Sequence, residues 1–207
     1  MTVLASRNWI LNMSRTAPAT RHFQNSKGLC SLSNDEHELI ESCLSGNRDA
    51  QQQLYLRYCE KVYRLMYRMV GESNADDLTQ HIFLCLFAKL DQFAARSSFS
   101  TWLYRLASNE ALQFLRRRRQ REPDQAMPAD LTDHRSSETT QTDHRNLLEY
   151  VMNQLDPELR AIFLLRESEG LSYYDIAMAL DIAEGTVASR LNRARRSLRT
   201  LIEEASN

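Results

Sequence analysis

The chain of 207 residues has only five glycines and four prolines. With many Leu, Ala, Arg and Glu beside them, that shortage favours helix throughout. The four cysteines, Cys30, Cys43, Cys59 and Cys85, are spread out and form no CxxC pair. Neither a disulfide framework nor a zinc site follows from such spacing. Cys43, Cys59 and Cys85 fall on or near apolar helical faces, where a small thiol packs as a hydrophobe. No apolar run reaches the ~18–20 residues that cross a bilayer, so no membrane insertion is expected and the protein is placed in the cytoplasm. A glycine-rich phosphate loop, an HExxH and a GxSxG are all missing, and the carboxylates have no histidine partner at useful spacing. His134 and His144 are isolated. The expectation is a protein that is not an enzyme, with no catalytic residue, no cofactor and no metal.

Charge is also scarce in net terms, at −1, but it is segregated. Arginines cluster near 116–121 and 190–199 while acids gather elsewhere, an arrangement that permits a nucleic-acid partner despite a pI near 6.5. Residues 1–33 carry Arg7, Arg15, Arg21 and Lys27 and no acid, are rich in Ser, Thr and Asn, and show no sustained period. They are expected to be a disordered N-terminal extension.

Four helices are predicted over 34–119. The first carries Leu39, Ile40, Cys43 and Leu44 after a cap at Ser33 or Asn34 and ends at Gly46 and Asn47. The second runs from about Asp49 to Val70, with Leu54, Tyr58, Val62, Leu65 and Met69 at helical steps, and Gly71 closes it. The third is capped by Ser73 or Asn74, has Asp76 and Asp77 in its first turn, and buries Leu78, Ile82, Phe83, Leu86, Phe87 and Leu90. Asp76, Asp77, Gln80 and His81 lie off that face. The fourth, about Ser100 to Arg119, has Leu103, Leu106, Ala107, Phe114 and Leu115 as its stripe and ends in RRRRQR. Residues 120–143 have no apolar period, two prolines, and an acidic, hydroxyl-rich composition, which reads as a flexible linker. From His144 one helix carries Leu147, Leu148, Val151 and Leu155, and Asp156-Pro157 opens another with Leu159, Ile162, Phe163 and Leu165. The fold class is all-α: two small helical bundles joined by a flexible linker, the second containing a helix-turn-helix.

That helix-turn-helix is Leu171 to Arg199, LSYYDIAMALDIAEGTVASRLNRARRSLR. Tyr173 to Leu180 forms the first helix, Asp181 to Gly185 the turn, and the second helix starts at about Glu184 or Gly185. Val187, Leu191, Ala194, Leu198 and Leu201 make one narrow apolar stripe. Ser189, Asn192, Arg193 and Arg196 point the other way, with Arg190 and Arg195 flanking. A helix held on its inner face, with small polar groups and arginines outside, suits a DNA major groove. Arginine and asparagine read base edges there, and flanking arginines fix phosphates.

The same stretch resembles the C-terminal DNA-binding region of bacterial extracytoplasmic-function (ECF) sigma factors, above all in EGTVASRLNRARRSL. The resemblance implies that Thr186, Ala188, Ser189, Arg190, Asn192, Arg193, Arg195 and Arg196 face the minus-thirty-five element. Ala188 stands where the family usually has Lys or Arg, and Asp181 and Ala183 where Gly and Pro are common. The first bundle resembles region 2 of that family. ADDLTQHIFLCLF is similar to the segment that docks on the polymerase clamp helices, which implies contacts from Asp76, Asp77, Gln80 and His81. FAARSSFSTWLYRLASNEALQFLRRRR is similar to the segment that melts and reads the minus-ten element. That implies DNA contact by Phe99, Trp102, Asn109, Arg116, Arg117, Arg118 and Arg119. His81, Ser108 and Gln113 depart from the family's usual Glu, Arg and Asp. Melting a duplex gives up base stacking, which aromatic faces and arginine planes recover at roughly 1–3 kcal/mol per base. Packing in the core competes with base stacking for Phe99 and Trp102, and Tyr104 is expected at the surface or half-buried.

The reading that follows is a promoter-specificity factor whose partners are core RNA polymerase, promoter DNA and an anti-sigma factor. The alternative is a stand-alone helix-turn-helix regulator, which leaves FSTWLYRLASNEALQFLRRRR without a role. A protein-only adaptor would show no DNA affinity and no salt dependence.

Overall fold

The computed structural model describes residues 34–121 and 150–205, and every regular element among them is helical. The expected extension at 1–33 and most of the expected linker at 120–143 lie outside the described residues. The first bundle contains α1 (Asn34–Leu44), α2 (Arg48–Val70), α3 (Glu72–Lys89), a single 3-10 turn (Leu90–Gln92) and α4 (Phe99–Arg121). Residues 150–154 are helical. They precede α5 (Pro157–Glu167), α6 (Tyr173–Leu180) and α7 (Glu184–Ala205).

The helix ends follow local chemistry. Asn47 does not simply close α1; its side chain accepts from the N–H groups of Asp49 and Ala50 and caps α2. Gly71 then ends α2 at φ 86°, a left-handed conformation that a residue without Cβ adopts at little cost. The expected cap of α3 at Ser73 or Asn74 is not found. Gly71 ends one helix and starts the next, so α3 already runs from Glu72 with no side-chain cap. Ser98 Oγ accepts from Thr101 N–H at 3.1 Å and opens α4. Asp156 caps α5 through the N–H groups of Glu158 and Leu159, with Pro157 in the first turn.

In the first core Leu54, Val62, Leu65 and Met69 of α2 meet Ile82, Phe83 and Leu86 of α3, all of them buried. Phe99 is 0 % exposed. Its ring lies 5.2 Å from Tyr58 and 5.4 Å from Phe93, both edge-on, contacts that add about 0.5–1.5 kcal/mol each beyond area burial. Cys43 is buried as expected, whereas Cys59 and Cys85 are half-buried. Val151, Leu155, Ile162, Leu165, Ile176, Val187, Leu191 and Ala194 build the second core.

The bundles pack on one another, α4 against α5 and α6, and α2 against α5. Arg160 sets this contact and is only 1 % exposed. Its guanidinium donates to Met69 O at 2.8 Å, Asn153 O at 2.7 Å and Leu155 O at 3.2 Å. These carbonyls belong to two helix C-termini, that of α2 in one bundle and that of residues 150–154 in the other. The last carbonyls of a helix have no intrahelical donor, and a cation suits that end of the dipole. One buried arginine thus terminates a helix in each bundle.

Candidate nucleic-acid interface

The helix-turn-helix is built as its sequence dictates. Ser172 Oγ accepts from Asp175 N–H at 3.0 Å and caps α6. Asp181 takes the left-handed conformation, φ 56° and ψ 48°, at the C-terminus of α6. Its N–H and that of Ile182 both return to Ala177 O, closing α6 in the manner usually reserved for glycine. α7 begins at Glu184, so Gly185 lies inside its first turn. Val187, Leu191, Ala194 and Leu198 are buried. Ser189, Asn192, Arg193, Arg195 and Arg196 are exposed, and Thr186, Ala188 and Arg190 are half-buried.

Acids of α5 partner two of these arginines. Arg190 pairs with Glu158 Oε2 at 3.0 Å and Arg195 with Glu167 Oε1 at 2.6 Å. The Glu167 hydrogen bond also raises the Arg195 pKa above its ordinary value. Arg193 and Arg196 line an open groove beside Asp156, Ser197 and Thr200, with no ion pair among the described residues.

On α4, Asn109, Arg116, Arg117 and Arg119 are exposed and Arg118 half-buried. Trp102 is half-buried, its ring 5.5 Å from Phe93 and 5.7 Å from Phe99. Phe99 itself corrects the expectation of a base contact. Its ring is enclosed by Tyr58, Phe93 and Trp102 and presents no face to a base; it supports Trp102 instead. Tyr104, expected at the surface or half-buried, is 5 % exposed and donates its hydroxyl to Glu169 across the bundle contact. Burial first, and then Glu169, hold its pKa well above the usual phenol value.

The two arginine surfaces meet. Asn109, Leu112, Gln113 and Arg116 of α4 line one groove with Glu158 of α5, Leu180 at the end of α6, Ile182 in the turn and Arg190 of α7. Glu158 bridges it, Oε1 accepting from Arg116 at 3.2 Å and Oε2 facing Arg190 at 3.0 Å. Thr101 Oγ1 donates to Asp175 at 3.2 Å and Arg105 lies 3.8 Å from Asp181. Neither Glu158 nor Arg160 was among the candidate residues. Nothing in the sequence marks Arg160, because its partners are main-chain carbonyls.

The polymerase candidates form an exposed ridge on α3. Asp76, Asp77 and His81 are exposed and Gln80 half-buried. Leu84, one turn beyond His81 and 41 % exposed, continues the ridge and was missed by reading only for charge.

Family comparison agrees with this layout. The family described as "Sigma-70 region 2" matches residues 54–121, and that described as "Sigma-70, region 4" matches residues 145–198. The RNA polymerase sigma-H factor of Pseudomonas aeruginosa is 34 % identical over 187 residues, covering 82 % of this chain and 97 % of its own. The ECF RNA polymerase sigma-E factor of Haemophilus influenzae is 31 % identical over 180 residues, 81 % of this chain and 95 % of its own. The chain belongs to the ECF sigma factors. Among solved structures, CnrH in complex with the cytosolic domain of CnrY superposes with TM-score 0.61 at 24 % identity, over 81 % of this chain and 96 % of that one, which speaks to the fold. The sigma factor RpoE from Bartonella quintana, solved with the anti-sigma factor NepR, gives TM-score 0.58 at 25 % identity, over 73 % and 96 %. As a sigma factor the protein directs RNA polymerase to promoters, and sigma factors are non-enzymatic initiation factors.

Proposed function

We propose that residues 34–119 form the unit that docks on core RNA polymerase and engages the minus-ten element. Residues 144–207 form the unit that reads the minus-thirty-five element, 120–143 the linker between them, and 1–33 an extension. The protein works in the cytoplasm and performs no bond chemistry. The observation that carries this reading is α7: Val187, Leu191, Ala194 and Leu198 of its apolar stripe are buried and Leu201 half-buried, while Ser189, Asn192, Arg193 and Arg196 stand outward. A helix so held can enter a major groove by its N-terminal half, Asn192 and Arg193 reaching base edges and Arg195 and Arg196 the phosphates. On α4, Asn109 takes an unpaired base, Trp102 offers a partly open ring, and Arg116, Arg117, Arg118 and Arg119 hold the strand's phosphates. Asp76, Asp77, Gln80 and His81, with Leu84, present the docking ridge to polymerase. An anti-sigma factor is a further proposed partner, supported by the complex in which the Bartonella neighbour was solved.

Separate loss of the two functions tests the assignment. Arg193→Ala is expected to lower promoter-specific transcription while leaving capture by core polymerase intact. Asp77→Ala is expected to weaken capture itself. Unchanged transcription with Arg193→Ala removes that residue from the interface, and unchanged capture with Asp77→Ala removes the ridge.

A further inference from the structure

The sequence alone gave no reason to expect a metal, since its cysteines are dispersed. The fold changes this by bringing α4 alongside α3. His81 and Cys85 stand one helical turn apart on α3, and Glu110 of α4 closes on them. His81 Nε2 is 3.3 Å from Glu110 Oε2 and 3.5 Å from Cys85 Sγ. The three donor atoms all lie within 4.8 Å of one another.

Those separations have a meaning beyond an ion pair. Zinc binds nitrogen and oxygen at about 2.0–2.2 Å and sulfur at about 2.3 Å, so tetrahedral donors stand roughly 3.4 Å (N to O) and 3.6 Å (N to S) apart. The two measured edges match both values; the third, Cys85 Sγ to the Glu110 carboxylate, is at most 4.8 Å and closes to about 3.6 Å on binding. Donor chemistry narrows the ion. A thiolate and an imidazole exclude calcium and magnesium, which take oxygen ligands, and favour zinc or a similar late divalent ion. Accessibility is suited to loading from solvent: the His81 side chain is 54 % exposed, while Glu110, at 14 %, is held in place by its surroundings.

We propose that His81, Cys85 and Glu110 bind one zinc-class divalent ion that staples α3 to α4. Binding replaces the His81–Glu110 pair and the Cys85 S–H contact with three metal bonds. The thiol proton and any proton on His81 Nε2 go to solvent, His81 binds as the neutral imidazole with its hydrogen on Nδ1, and the fourth coordination position is left to water. The consequence, which rests on the function proposed above, is that the staple joins the polymerase-docking helix to the minus-ten helix and occupies His81 within the docking ridge. The site itself stands independently of that function.

Cobalt(II) is the probe, a spectroscopic stand-in for zinc, titrated into the full-length protein kept reduced with a non-thiol reductant. The expected result is one equivalent bound, with a thiolate-to-cobalt charge-transfer band in the near ultraviolet. Visible bands of four-coordinate intensity accompany it, and zinc erases both. Cys85→Ser should abolish the charge-transfer band and Cys59→Ser should keep it. Loss of an outer-shell partner typically costs about 10–100-fold in metal affinity, so His81→Gln and Glu110→Gln should each cost at least that. Zinc should also raise the melting temperature of the wild type but not of Cys85→Ser. No charge-transfer band in the wild type overturns the proposal. So does a band that survives in Cys85→Ser, which would place the metal on another cysteine. These side chains are not in the buried core, so circular dichroism of each variant should match the wild type. Polymerase capture plays no part in these readouts, so failure of the site and failure of the proposed function are told apart.

Discussion

Replacing Arg160 with methionine should destabilise the whole chain rather than one bundle. The guanidinium supplies donors to Met69 O, Asn153 O and Leu155 O at 2.8, 2.7 and 3.2 Å. A hydrogen bond from a charged donor contributes about 1.5–3 kcal/mol, and each carbonyl left dry costs about 1–3 kcal/mol. Against this stands the desolvation of the cation, several kcal/mol, which methionine does not incur. Burial of the guanidinium leaves its mark in a pKa pushed down to about 10, still well above neutrality, so the charge is present at pH 7. Methionine fills the space of the aliphatic stem but leaves two helix C-termini unserved. The net loss is about 2–4 kcal/mol, below the sum of the bonds because the desolvation cost is removed with them. In urea, with a slope of about 2 kcal/mol/M for a chain of this size, the midpoint should fall by ~1–2 M. In a Trp9→Phe background, which leaves Trp102 as the reporter, the fluorescence transition and the far-ultraviolet circular dichroism transition, expected to coincide without the Arg160 change, should separate as the bundles uncouple. Arg160→Lys keeps the charge but lacks the planar fork, and should restore less than half of the loss. A loss below ~0.5 kcal/mol, the level of an ordinary surface substitution, with coincident transitions, would refute the view that this arginine ties the bundles together.

Three other outcomes follow from the same geometry. Glu158 pairs with both Arg116 and Arg190 and so competes with DNA phosphates for the two guanidinium groups. Glu158→Gln should raise affinity for promoter DNA about two- to fivefold, the worth of two exposed ion pairs totalling ~0.5–1 kcal/mol; a fluorescence anisotropy titration showing no gain would contradict the competition. Burial raises the Cys43 pKa from 9.0 to about 11. A thiol whose folded pKa lies above its unfolded value contributes stability that is complete below pH 9 and lost as pH rises toward 11. Cys59 and Cys85 are raised in the same sense. Melting temperature should therefore decline as pH rises above 9, less steeply for Cys43→Ala, and equal slopes for the two proteins would show that this thiol is not the cause. Asp156→Ala removes the cap of α5 and should cost ~1 kcal/mol in urea unfolding.

Much of the fold was legible because helices advertise themselves locally. Val187, Leu191, Ala194 and Leu198 recur at helical spacing, and all four are buried. Asp156-Pro157 announces the start of α5, and Asp181 takes the left-handed turn that its side chain tolerates. Helix starts were less secure where a glycine serves two helices, as Gly71 does. The relation between the bundles was not legible. Arg160 bonds to main-chain carbonyls, which carry no residue signature, and Glu158 matters only once α4 lies beside α5. Phe99 and Tyr104 show the same limit from the other side. An aromatic beside a basic run reads equally as a base-stacking ring or as core, and only the positions of Tyr58, Phe93 and Glu169 decide. The His81, Cys85 and Glu110 cluster was half visible. Its first two members are a turn apart in sequence, but the third arrives with α4.

Transcription in vitro decides the account as a whole. Core RNA polymerase from the source organism would be supplied with fragmented genomic DNA, with and without this protein. The prediction is a set of discrete new start sites whose upstream sequences share a minus-ten and a minus-thirty-five element at constant spacing. If no new start appears while the protein alone binds duplex DNA tightly, the chain acts as a helix-turn-helix regulator and the role in polymerase recruitment is wrong.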